Sequence, residues 1–406
     1  MMITYAILAN PGHNRVYFKS AKTLAVAEFD CLQLDDLAVW EVLEGPIENT
    51  GKLGIEKIGR TLDSMNIAGL SYFTFNMQKP LTAADLQAVS RLSFVYAIFE
   101  LRFAADDSFV FSPALIPVER QVGYFFDEDI STILKYNGKT NELFTRMLLN
   151  LGVSLADNAV QNVLDPLCGK GTTLFEGLMC GYNVHGIDID QKAVDEGYNF
   201  LKKYLENGKY KHSSHKERQG LPDYTAVRQT ITLQKPEILE TLETLETLET
   251  LETGESSENA PSPKTASITA ELISGDTKDA DQFYRKNYFD VIIADLPYGV
   301  QHKGKNSENN KNDKKDKKGK KIAQNKNWQS RNALPIVAGA LPSWHKVLKS
   351  GGVIVLAWNL FLITREELEN ELTKNGFTLV MPSGDTSFVH RVDQAINRDV
   401  IIGKKQ

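Results

Sequence analysis

The chain has 406 residues, with 46 Lys and Arg against 52 Asp and Glu, so it is long enough for two domains and is not a wholly basic nucleic-acid binder. Its 42% hydrophobic share is that of a soluble globular protein, and no apolar run is long enough to span a bilayer. Cys31, Cys168 and Cys180 cannot all pair and show no metal spacing, which fits a reducing cytoplasm. The opening MMITYAILANPGHNR has no basic stretch ahead of its apolar residues and does not read as a secretory leader.

Residues 1–115 carry strand-like runs at Thr4–Leu8 and Tyr72–Phe75, and a helix from Thr82, a good N-cap, through Leu92. This predicts an α+β domain, a candidate for an RNA-binding role. Over 116–406 strands and helices alternate. Val160–Leu164 reads as a strand, with a helix starting over Thr172–Met179. Asn183–Ile187 is the next strand and Gln191–Tyr204 the next helix. Ile268–Ile273, Val291–Ala294 and Val353–Trp358 follow as strands, with helices at Pro335–Leu348 and Thr364–Lys374. Such alternation predicts a doubly wound, Rossmann-like parallel sheet. Two low-complexity segments interrupt it. Residues 207–266 hold a Thr-Leu-Glu repeat whose leucines rotate around a helix, and read as a surface loop. Residues 302–327 are lysine-rich, almost free of large apolar residues, and are expected to be disordered.

NVLDPLCGKGTTLFEGL, from Asn162, is a strand, a glycine turn and a helix start. A phosphate loop requires Gly-Lys-Ser/Thr, but Gly171 follows Lys170, and the third glycine of a dinucleotide fingerprint is Leu174. Asp165 before Gly169 and Gly171 would repel a pyrophosphate and suits an ammonium. NVHGIDID ends in Asp188 and Asp190, about twenty residues after the turn, where an acid accepts from ribose hydroxyls. ISGDT places Asp276 where an adenine amine could donate. Three acids at consecutive strand ends beside a glycine turn point to adenosine plus an ammonium without phosphate, that is, S-adenosylmethionine. FDVIIADLPYGV then sets Asp295 at the end of a strand buried on both faces. A rigid Pro297, an aromatic Tyr298 and a turning Gly299 follow, and together these could hold a planar amine.

DPLCGKGT, GIDID, SGDT and DLPYG, in this order, resemble a class I methyltransferase and, more narrowly, the tRNA (guanine-N2) methyltransferase family with its related rRNA enzymes. KYNGKTNELFTRMLLNLG, from Lys135, and HRVDQAINRDVIIGKK, from His390, resemble that family's lead-in segment and closing hairpin, so the likeness covers roughly 112–405 apart from the insertions. It implies that Asp165, Gly169 and Gly171 bracket the methionine part of the cofactor, with Thr172 contributing at the helix start. It also implies that Asp188 holds the ribose, Asp276 the adenine, and that Asp295 faces both sulfonium and substrate amine. Many members have proline where Leu296 stands, and residues 1–115 show no recognisable THUMP module. The implied substrate is RNA, first guanine N2 in tRNA. An rRNA guanine-N2 enzyme, a DNA adenine-N6 or cytosine-N4 enzyme, a noncatalytic RNA-binding protein and, more weakly, a protein-amine methyltransferase are the alternatives.

In that chemistry Asp295 and a carbonyl of Leu296 or Pro297 would draw the amine hydrogens and aim its lone pair, and Tyr298 would stack on the extruded base. Cys168 has no histidine near it in sequence to make it a nucleophile. Trp358–Asn359 borders the pocket or fills the core. Arg391 and Arg398 flank the final hairpin and read as exposed charges, with contact to phosphates as the alternative. The lysine run either adds salt-dependent affinity for a nucleic-acid backbone or is a solvated loop.

Overall fold

The computed structural model describes residues 2–10, 15–32, 34, 62–105, 111–234, 267–298, 333–381 and 387–406. Of the two insertions, the Thr-Leu-Glu repeat and the lysine-rich run lie outside the described residues.

The N-terminal part consists of β1 (Ile3–Ala9), α1 (Arg15–Phe29), β2 (Asp63–Ile67), β3 (Leu70–Met77), α2 (Ala83–Arg91), β4 (Val95–Ala105) and β5 (Phe111–Val118). The strands form an antiparallel sheet ordered β2-β3-β1-β4-β5. Thr82 caps α2 in a reciprocal box with Asp85, as its sequence predicts. Alternate residues of the strands (Tyr5, Ile7, Phe73, Phe75, Ile98) bury against α1 and α2. The last strand runs three residues beyond position 115. α1 has a second role: Leu24 and Ala27, with Cys31 just beyond the helix, pack into the core of the following domain. Glu28, buried on the same helix, accepts from the Ser93 hydroxyl at 2.5 Å and from Asn150 Nδ2 at 2.8 Å, joining the two parts.

The second part opens with α3 (Asp129–Thr132) and α4 (Glu142–Leu155). It continues through β6 (Asn162–Asp165), α5 (Thr172–Met179), β7 (Asn183–Asp188) and α6 (Gln191–Asn207), then β8 (His212–Gly220), β9 (Thr225–Gln234) and β10 (Ser267–Ser274). After a 3-10 turn at Thr277–Asp279 come α7 (Ala280–Phe283), β11 (Phe289–Asp295), α8 (Leu334–Val347), β12 (Leu348–Asn359) and α9 (Arg365–Lys374). β13 (Phe377–Val380), β14 (His390–Arg391) and β15 (Asn397–Lys405) close the chain. The strand order is β13-β15-β12-β11-β6-β7-β10-β9-β8, with β14 pairing β15. The five strands from β12 to β10 are parallel, while β9 and β15 flank them antiparallel. This is the predicted Rossmann-like, doubly wound sheet. Val291 and Ile293 point to a core shared with α4, α5 and α6, and Ile292 and Ala294 to one shared with α8 and α9. Both faces of β11 are covered, so its sequence has no polar alternation.

One expectation is corrected. Residues 212–234 fall within the span assigned to a low-complexity loop, yet they form the β8–β9 hairpin that extends the sheet beyond β10. Ile231 and Leu233 of β9 enter the core. β8, HSSHKERQG, is a polar, solvent-facing edge strand and offers no hydrophobic pattern to read. Among the described residues no helix is long and apolar enough to cross a membrane.

Candidate active site

The parallel strands all end on one side of the sheet, and the chain brings its acids together there. Asp165 closes β6 only 4% exposed, and its Oδ1 accepts from Leu167 N at 3.0 Å. Burial pushes this carboxyl up to about 7, against the opposing bonds from Thr173 and Leu167. In the turn that follows, Gly169 and Gly171 have φ of +51° and +93°, which side chains rarely adopt, and a Cβ at Gly169 would meet nothing within 4 Å. The turn therefore presents bare backbone to open space. Behind it α6 packs so closely that a Cβ on Gly197 would lie 2.4 Å from the Lys170 carbonyl.

Asp188 ends β7 and is held by backbone alone: Gly169 N donates to Oδ2 and Asp190 N to Oδ1, both at 2.8 Å. Burial pushes its carboxyl up as well. Asp190 instead caps α6, accepting from Lys192 N and Ala193 N at 3.0 and 3.4 Å. Thr172, the first residue of α5, shares a 3.0 Å hydrogen bond with the Tyr136 hydroxyl, and the Lys170 ammonium lies 4.7 Å over the Tyr136 ring. Asp276 follows β10, and its Oδ1 accepts from Lys278 N at 3.0 Å. Its own N–H donates to the Tyr224 hydroxyl at 2.9 Å, and that hydroxyl donates to Asp279 at 2.8 Å. Tyr224 comes from the β8–β9 hairpin, so part of the supposed insertion supports a candidate site residue.

Asp295 ends β11, partly buried. The Thr140 hydroxyl donates to its Oδ2 and the Tyr298 hydroxyl to its Oδ1. Burial raises this carboxyl, opposed by the Arg398 charge and the Thr140 bond. Leu296 is buried and donates its N–H to Ala357 O at 2.8 Å, while Pro297 is exposed and Tyr298 partly so. Arg398 is not an exposed hairpin charge. It is 6% exposed, with its guanidinium 4.2 Å from the centre of the Phe144 ring and 4.9 Å from that of Tyr298. The flanking rings supply a cation–π environment that the sequence could not display. Beside it His390, paired with Arg398 across the hairpin, is pushed down to about 4 by burial and by that cation. Arg391 is exposed, as expected.

The remaining candidates resolve simply. Burial and the charges of Asp188 and Asp165 raise the Cys168 thiol well above its ordinary value, which opposes thiolate formation. Trp358 is fully buried and donates to Ile363 O at 2.9 Å, so it is core. Asn359 is a buried tie between the loop after β12 and the closing hairpin.

Thr140, Tyr136, Tyr224 and Arg398 were not predicted as site residues. Each lies far in sequence from the residue it supports. Only the KYNGKT segment before α4, singled out by likeness, pointed toward two of them.

The carboxyls of Asp165, Asp188 and Asp295 are all raised by burial, and the charges of the other two push Asp165 further up. A cation among them relieves that repulsion, which fits a ligand carrying an ammonium and a sulfonium. The strand order, the glycine turn and these carboxylates fit a methyltransferase domain that uses S-adenosylmethionine. Consistent with this, residues 137–328 match the model of the UPF0020 family, the RMKL-like methyltransferase domain. No curated protein matches the chain in sequence. Among solved structures the chain is similar to a T. thermophilus 16S rRNA methyltransferase (RsmC) in complex with AdoMet and guanosine, at 14% identity over 85% of this chain and 58% of that one, TM-score 0.34. The rRNA methyltransferase AviRa of Streptomyces viridochromogenes matches at 14% identity over 69% and 93%, TM-score 0.32. A TehB-like SAM-dependent methyltransferase of Corynebacterium glutamicum matches at 13% over 61% and 80%, TM-score 0.29.

Proposed function

We propose that the chain methylates an exocyclic base amine in RNA, with guanine N2 of tRNA in the cytoplasm as the first candidate. The observation that carries this reading is Asp295: a carboxylate at the end of a buried strand, both oxygens satisfied by hydroxyls, followed by the exposed Pro297 and the partly exposed Tyr298. The RNA and guanine parts rest on the motif set DPLCGKGT, GIDID, SGDT and DLPYG taken with the closing hairpin.

In this reading Asp165 and the backbone of Gly169 and Gly171 hold the amino-acid end of the cofactor, with Thr172 at the helix start. Asp188 accepts from the ribose hydroxyls and Asp276 from the adenine amine. When bound, S-adenosylmethionine supplies an electrophilic methyl group on sulfur. A base amine is a poor nucleophile because its lone pair is delocalised into the ring. Asp295 Oδ1 exchanges the Tyr298 hydroxyl for an N–H of the substrate, and a carbonyl of Leu296 or Pro297 accepts the second hydrogen. Pro297 keeps that carbonyl in place. The two acceptors localise the lone pair and orient it, so much of the acceleration comes from alignment. The same Asp295 oxygen takes the proton the amine gives up, a role that its raised pKa favours. Once released from Asp295, the Tyr298 ring is free to stack on the extruded base.

Transfer of labelled methyl from S-adenosylmethionine to tRNA transcripts, rRNA fragments and duplex DNA tests this, with Asp295→Ala as control. Label recovered as N2-methylguanosine from tRNA, and absent with the variant, is expected. Label in DNA alone keeps the amine chemistry and overturns the substrate.

A further inference from the structure

We propose that Phe361 and Arg391 form a stacking platform for the nucleotide next to the methylated base, an assignment that rests on the RNA-substrate reading above. Phe361 lies in the turn just after β12 and is 54% exposed. The Arg391 guanidinium is 4.9 Å from the centre of its ring. That guanidinium is fixed by hydrogen bonds from Nε and Nη2 to the carbonyls of Asp393 and Gln394.

The pair is held in place from beneath. Asn359, 3% exposed, accepts from Phe361 N at 3.2 Å and from Asn397 N at 3.0 Å, and donates to Ala395 O at 2.9 Å. One buried amide thus fastens the loop that carries Phe361 to the hairpin that carries Arg391. The same hairpin leads to the target-base position. Asn359 is opposite Arg398 in the β12–β15 register, Arg391 is opposite Asn397, and Arg398 stacks on Tyr298. Two arginine–aromatic stacks therefore stand on one hairpin at the carboxyl end of the sheet. The inner one is buried behind Tyr298 and the outer one is open to solvent.

A rigid, exposed ring beside a fixed cation matches a nucleotide, which offers a flat base to the ring and a phosphate to the arginine. An aliphatic protein surface would use the ring and offer the guanidinium no anion. The fixed guanidinium also favours a defined position on the strand over diffuse attraction.

The test measures affinity for a fluorescein-labelled, single-stranded RNA oligonucleotide by anisotropy, alongside S-adenosylmethionine affinity by equilibrium dialysis. Phe361→Ala is expected to weaken RNA binding roughly 10- to 100-fold with cofactor affinity unchanged, and Phe361→Trp to restore it. Arg391→Met is expected to weaken it severalfold and to lower the salt slope by about one. RNA affinity unchanged in Phe361→Ala, while the wild type binds, overturns the platform and leaves the substrate reading intact. Parallel loss of cofactor affinity assigns Phe361 to hairpin stability and also overturns it. A wild type that does not bind the oligonucleotide overturns the platform, whereas the substrate reading stands or falls on methyl transfer to tRNA.

Discussion

Asp188 and Asp295 end strands on either side of β6, yet they are secured by different means. Asp188 is held by the N–H groups of Gly169 and Asp190, both within twenty positions of it in sequence. Asp295 is held by side chains: the hydroxyl of Thr140, 155 residues earlier, and that of Tyr298, under the charge of Arg398. A carboxylate fixed by backbone is pre-set before any ligand arrives. One fixed by hydroxyls can exchange a partner for a substrate N–H at little cost. In the proposed reading, the cofactor side is therefore pre-set and the substrate side switchable.

The sharpest break of that comparison is Asp295→Ala. In the proposed mechanism it removes the acceptor from the transition state, so transfer should fall by roughly 10²- to 10⁴-fold, with cofactor affinity and the melting curve little changed. Near-normal turnover would sink the mechanism. Asp188→Ala should do the converse: lose cofactor affinity by roughly 10- to 100-fold through the missing charge-assisted bonds, with a far smaller change in turnover at saturation. Calorimetric titration beside saturating kinetics separates the two.

Asp165 gives the comparison a pH dependence. Its carboxyl titrates near 7 in the folded protein, far above its unfolded value. The stability it contributes without ligand is complete below the unfolded pKa and is lost as pH rises through about 7. A cationic ligand favours the carboxylate, so cofactor affinity should instead rise through that same range. Asp165→Asn should melt a few degrees higher than the wild type at pH 8 without ligand, bind the cofactor weakly, and lose the titration. A variant that keeps the wild-type pH dependence of binding would place the proton elsewhere.

Arg398→Met should move the acid limb of kcat to higher pH, because the cation opposes the burial that raises the Asp295 carboxyl. Asp165, Asp188, Thr140, Tyr298 and His390 remain around the pair, so the limb should move without vanishing. Arg398→Lys should restore the limb while losing the planar stack. The smallest expected effect is Thr140→Val, a severalfold loss of transfer, since Tyr298 and the Arg398 field still restrain the carboxylate. An unchanged rate there would mean that Thr140 only closes the resting site.

The outlines of the parallel sheet were legible because strands such as β11 are short apolar runs and several helices start on their own cap or glycine, as at Gly171, Asp190 and Thr364. β8 was not, because a polar edge strand buries nothing and sits beside a repeat that dominates the local composition. Arg398 was misjudged for a related reason: in Asn-Arg-Asp at the start of a hairpin nothing reveals that Phe144 and Tyr298 close over it.

By itself the sequence determined the strand–turn–helix of the glycine turn and the acids at the strand ends, since those depend on neighbours a few residues apart. Only the tertiary structure decided which distant residues serve them. Tyr136 reaches Thr172, Tyr224 reaches Asp276, and Thr140 and Arg398 converge on Asp295 because the strand order sets β6 between β7 and β11, with β15 two strands beyond β11. That order is fixed by burial of both sheet faces across the whole domain, a global condition that no local window contains.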